Sequence, residues 1–103
     1  MDEVDVVRDR AASKFRLMHA GRRIGVIEYR QDGNQVTMDH TVVSEKYSGQ
    51  GLAARLVEAA LADVRANGET VVPRCPYVRD FIAKHPEWAD LVPAESVAER
   101  DAS

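Results

Sequence analysis

Three stretches of the 103-residue chain hold groups able to do chemistry: Pro73-Arg74-Cys75-Pro76-Tyr77, His40-Thr41, and the glycine-rich run Ser44 to Ala53. Cys75 stands beside Arg74 and directly before Pro76, a residue suited to the first turn of a helix. A helix N-terminus and a neighbouring cation both favour thiolate over thiol, the form in which a cysteine is a nucleophile. A lone cysteine is also, commonly, a small packed hydrophobe. His40 is of the type that moves protons near neutral pH, and strand alternation puts it on one face with Val36, Met38 and Val42, where a hydrogen-bonded core histidine is the plainer reading. Gly49, Gly51 and Ala53 let backbone N–H groups approach an anion, and a helix opening there aims its positive end at the same point. Taken alone, Gly-x-Gly is equally well a tight strand-to-helix turn.

The elements that must position these residues follow from periodicity. A short strand near Val4–Val7 leads to a second with Phe15, Leu17 and His19 on one face; Ala20-Gly21-Arg22 turns the chain into a third, Ile24 to Tyr29, apolar on both faces and therefore central. Asp32-Gly33-Asn34 is a hairpin turn into a fourth strand running to Val43. The period then changes. Leu52, Leu56, Val57, Ala60, Leu61 and Val64 recur at helical spacing, closed by Asn67-Gly68. Thr70-Val71-Val72 forms another strand, and a second helix from Pro76 carries Val78, Phe81, Ile82 and His85 before Pro86 stops it. Strand, helix and strand in succession make a right-handed crossover with parallel strands. The expected fold class is α/β (α+β), a mixed sheet whose antiparallel meander is followed by a parallel strand–helix–strand crossover and a C-terminal helix.

Composition bounds the function. The length fits one domain, residues 1–92, with 93–103 as a flexible C-terminal tail. The 14 Lys+Arg against 17 Asp+Glu, net charge −3, argue against nucleic acid as a partner, and no apolar run approaches a membrane span. The N-terminus lacks the pattern of a secretory signal, and one cysteine with three scattered histidines has no zinc spacing, so the expectations are a cytoplasmic protein with no metal. A dinucleotide loop should open a first βαβ unit, yet four strands precede this one, and no Gly-Lys-Ser/Thr follows it as in a P-loop.

Ser48-Gly49-Gln50-Gly51-Leu52-Ala53, placed after a meander and opening an amphipathic helix, resembles the pyrophosphate-binding loop of the GNAT superfamily of acetyl-CoA-dependent N-acetyltransferases. With His40-Thr41, Pro73 to Val78 and His85-Pro86-Glu87, the chain is similar to the short, minimal GNAT-like subfamily, over Phe15 to Val92. It departs at Ser48, where Arg or Gln is usual. The resemblance implies that Val42, Val43, Ser48, Gly49, Gln50, Gly51, Leu52, Ala53 and Ala54 bind acetyl-CoA, with pantetheine between two splayed strands and a backbone N–H near Val42 polarising the thioester carbonyl. It implies three catalytic candidates: Cys75, lining the channel or carrying the acetyl group transiently; His40 as general base; and Tyr77 as the acid that reprotonates the CoA thiolate. Glu28 and Glu45 are further possible bases; His19, His85 and Trp88 read as structural. Larger members insert two helices where Val7 to Phe15 is far too short, so the site for the amine acceptor is open, completed by a second copy, or absent. The implied function is N-acetyl transfer to an unidentified amine by a monomer or homodimer. The rival is a non-catalytic acyl-CoA-binding sensor or partner module.

Overall fold

In the computed structural model, which describes residues 4–47 and 49–93, alternation drives the first half and helical periodicity the second. Strands β1 (Val4–Asp9), β2 (Lys14–His19), β3 (Arg22–Asp32) and β4 (Gln35–Val43) form an antiparallel meander. Helix α1 (Leu52–Ala66) crosses over to β5 (Thr70–Pro73), which pairs with β4 in parallel, giving the spatial order β1-β2-β3-β4-β5. Helix α2 (Pro76–Lys84) then packs against β4, β5 and α1. The mixed sheet is the one expected. Two 3-10 turns, Glu45–Tyr47 and Pro86–Leu91, occupy stretches that periodicity could not resolve. The expected tail, apart from Pro93, and Ser48 lie outside the described residues.

One core holds these elements together. Phe15 and Leu17 of β2, Ile27 of β3, and Val36 and Met38 of β4 face Leu56, Val57, Leu61 and Val64 of α1, while Cys75, Val78, Phe81 and Ile82 join from α2 and its cap. Each fully buried aliphatic side chain of this set contributes about 1.5–3 kcal/mol relative to exposure. The helices are bounded as their caps require: α1 ends at Asn67, followed by Gly68 at φ 67°, and α2 starts with Pro76 after the extended Cys75.

Away from the glycine loop, one partly buried ion network ties β1 to β3, to α1 and to the residue before β5. The Arg8 guanidinium of β1 donates to Glu69 at 2.7 and 3.2 Å, to Asp63 of α1 at 2.9 Å, to Tyr29 Oη at 3.0 Å and to Gln31 at 2.8 Å. Burial pushes the Glu69 carboxyl up, but hydrogen bonds from Arg8 and Gln31 prevail and hold it below the usual carboxylate range. Burial likewise lowers the Arg8 pKa, and the hydrogen bonds to Glu69, Tyr29 and Asp63 more than reverse this.

Candidate functional site

The site forms where two paired strands part company. β5 is hydrogen-bonded to β4 only from Gln35–Thr70 to Met38–Pro73, whereas β4 continues beside β3 as far as Val43. At Pro73, which has no N–H to donate, the chain turns away: Arg74 N–H bonds back to the Val72 carbonyl at 3.1 Å and Cys75 N–H to the Met38 carbonyl at 2.9 Å. Among the described residues, Thr41 to Val43 therefore have no strand on their β5 side. The Ser44 N–H donates to the Ile24 carbonyl of β3 at 2.8 Å. Main-chain groups alternate along an extended strand, so Val42, opposite Val26, also points at β3, and the N–H groups of Thr41 and Val43 point into the wedge. The wedge-facing N–H groups nearest Val42 are thus those of its two neighbours.

A bulge decides which side chains reach the wedge. Glu28 is opposite His40 but Tyr29 is opposite Met38, so Asp39 is an extra residue in β4. One added residue reverses the faces beyond it. His40, expected beside Val36 and Met38, lies instead on the outward face with Glu28 and is exposed. Thr41 takes the inward place, and the Cys75 thiol donates to its Oγ1 at 3.3 Å. Sequence reasoning names Thr41 only as the neighbour of His40 and gives it no role, and the bulge, which uniform alternation hides, is the reason. Arg30 fixes the bulge by a bidentate ion pair with Asp39 at 2.8 and 3.0 Å and holds that carboxyl below its ordinary range.

Cys75 is the N-cap of α2 and only 4% exposed, so its thiol is part of the wedge wall and not a surface group. Tyr77, in the first turn of α2, is 42% exposed, on the solvent side of the same helix end. Glu28 and Glu45 are exposed; Glu28 lies 3.9 Å from Lys14. Of the residues read as structural, His19 meets the Tyr47 ring edge-on at 6.0 Å, His85 lies 4.3 Å from the Phe81 ring, and the Arg65 guanidinium lies 4.7 Å over Trp88.

The glycine loop meets α1 at the C-terminal end of the same open strand. Gly49 and Gly51 have φ of 78° and 72°, conformations that L side chains rarely adopt, and both face open space. Gly51 is the N-cap and offers no side chain, and the first helical hydrogen bond runs from Arg55 N–H to its carbonyl at 3.2 Å. The N–H groups of Leu52, Ala53 and Ala54 precede that bond and have no partner within the helix. Two glycines with nothing above them and three donors at a positive helix end suit a diphosphate.

The family model described as GCN5-related N-acetyl-transferase matches residues 14–91, spanning every element from β2 to the last turn. The chain belongs to that family. Among solved structures it is similar to a GCN5-like protein from Staphylococcus aureus, determined by NMR in solution, at 24% identity, TM-score 0.67, over 90% of this chain and 91% of that one. A ribosomal-protein-alanine N-acetyltransferase from Brucella melitensis biovar Abortus 2308 matches at 18% identity and TM-score 0.55, over 84% of this chain and 67% of that one. The ribosomal-protein-S18-alanine N-acetyltransferase from Escherichia coli matches at 20% and TM-score 0.53, over 56% of this chain and 38% of that one. At these identities the likeness is one of fold.

Proposed function

We propose that the chain is an N-acetyltransferase that takes acetyl groups from acetyl-CoA and passes them to an amine. The observation that carries this reading is the pairing of an open glycine cradle at the start of α1 with an unpaired β4 edge leading from it to Cys75. From Ser44 back to His40 the strand spans about 13 Å at about 3.3 Å per residue, the order of length of a pantetheine arm. Gly49, Gln50, Gly51, Leu52, Ala53 and Ala54 hold the pyrophosphate in this reading, with Ser48 beside them. Thr41 and Val43 present main-chain groups to the pantetheine amides, and Val42 flanks the arm with its exposed side chain.

Acetyl-CoA supplies an activated thioester. His40, facing solvent beside Glu28, takes a proton from the incoming ammonium. The neutral nitrogen attacks the carbonyl carbon, the N–C bond forms and the C–S bond breaks. Tyr77 gives a proton to the departing sulfur, and the phenolate regains one from the acetylated nitrogen through solvent, so protons balance at one released per amide formed. The N–H groups of Thr41 and Val43 are the donors available to the carbonyl oxygen as it gains charge. Because the Cys75 thiol is buried and donates to Thr41, its role here is to line the channel, with transfer direct from thioester to amine. A free thiol and an acetyl-CoA substrate suit the cytoplasm.

The four-residue link between β1 and β2 leaves no helices to roof an acceptor, which favours a second reading: a CoA-binding module without turnover. Thiol release from acetyl-CoA in the presence of a panel of amines separates the two. An enzyme acetylates at least one amine, and His40→Ala lowers kcat by about 100-fold, the usual scale of general base catalysis, with CoA affinity unchanged. Binding of CoA with no turnover on any amine supports the module instead.

A further inference from the structure

The outward face of β2 and β3, opposite α1, carries a shallow cavity of about 330 Å³ whose charges are arranged in order. Lys14 and Glu28, partners across β2 and β3, line one end, and His40, the register partner of Glu28 on β4, stands just beyond the lining. Val26 and Val42, partners across β3 and β4, make an apolar middle, and Val42 is 58% exposed. At the far end are Ser44 and Arg23, and Arg23 has no ion pair among the described residues. Along β3 the two ends are about 16 Å apart at about 3.3 Å per residue.

We propose that this cavity is the acceptor subsite of the transferase reading above, on which the proposal rests, and that it takes an extended aliphatic amine ending in a carboxylate. The ammonium lies against Glu28 in place of the Lys14 ammonium, which stands 3.9 Å from that exposed carboxylate, with His40 across on β4 at the strand edge that leads to the wedge. Methylenes cover Val26 and Val42, and the distal carboxylate meets Arg23, whose planar fork matches a carboxylate. At roughly 30 Å³ per heavy atom the cavity holds about eleven of them. An ω-amino acid with a seven-methylene chain is of that size.

The probe is 8-aminooctanoate, compared with heptylamine, which lacks only the carboxylate. Each is titrated into the full chain, with and without CoA, following backbone amide shifts by NMR. The amino acid is expected to move Gly25, Val26, Val42 and Ser44 with an affinity at least 10-fold above that of heptylamine, and Arg23→Gln to erase the difference while the fold's spectrum is kept. Equal affinities, or shifts confined to other faces, overturn the proposal. The CoA titration is read separately: CoA that leaves Gly49 to Ala53 unmoved overturns the transferase reading and with it the acceptor role, whatever the amino acid does. Shifts there alongside indifference to the carboxylate overturn the acceptor subsite alone.

Discussion

Gly51 and Thr41 show two ways in which a single residue sets this site. At φ 72° with nothing within reach of a side chain, Gly51 is required by backbone conformation and not by crowding. Gly51→Ala is expected to lower stability by about 1 kcal/mol and to weaken CoA binding more than 10-fold, checked by urea unfolding and calorimetry side by side. Stability lost with CoA affinity intact would mean that the loop's shape serves the turn alone. Thr41 accepts the one hydrogen bond that the Cys75 thiol makes among the described residues. Thr41→Val removes that acceptor at nearly constant volume; the expected loss is about 1 kcal/mol in urea unfolding, with Thr41→Ser restoring most of it. The glycine run was legible in the sequence because its signal is local: two small residues, then a helix. Thr41 was not, because its inward position depends on one extra residue at Asp39 and on a partner 34 residues away.

Among the elements, β4 matters most, since it is paired on both sides for half its length and on one side beyond Met38. Its open half is backed by Gly25 of β3, where an added Cβ would stand 3.2 Å from the Val42 carbonyl oxygen, 3.2 Å from Val43 Cγ2 and 3.3 Å from Leu17 Cβ. None of these neighbours is a flexible chain end, so Gly25→Ala pushes the open strand. The expected outcome is a loss of about 1–3 kcal/mol together with a raised KM for acetyl-CoA. An unchanged KM would show that the wedge does not depend on the seat of β4 against β3. Strand and helix order, the hairpin turns and the crossover were all readable from period and turn chemistry. The point at which β5 leaves β4 was readable only in outline from Pro73, since departure is set by where Cys75 and Arg74 bond their N–H groups.

At the scale of the molecule, the Arg8 network joins β1, β3, α1 and the residue that leads into β5. Ion pairs between residues 55 and 61 apart in sequence leave no local pattern, and nothing in the spacing singled out Arg8 or Glu69. The folded Glu69 carboxyl titrates below its ordinary value, so its stabilisation is fully present above the unfolded pKa, near 4.5, and is lost as pH falls through the folded value. Removing Glu69 leaves the buried Arg8 guanidinium with the half-exposed Asp63 as its ion partner, so Glu69→Gln is expected to cost about 2 kcal/mol at pH 7 and to flatten stability against pH below about 5. Urea unfolding across pH 3–7 checks both, and an unaltered pH slope would remove Glu69 from the account. That network adds polar ties between the sheet and α1 to the core packing that places the glycine loop at the end of the open strand. The central claim concerns what that loop and strand hold together. Calorimetric titration of the chain with acetyl-CoA, with ATP as the phosphate-bearing comparison, tests it most directly. Saturable binding of acetyl-CoA well above that of ATP is expected, with about 2.7 kcal/mol of added stability at 100 times the dissociation constant. No binding of acetyl-CoA at millimolar concentration would contradict it.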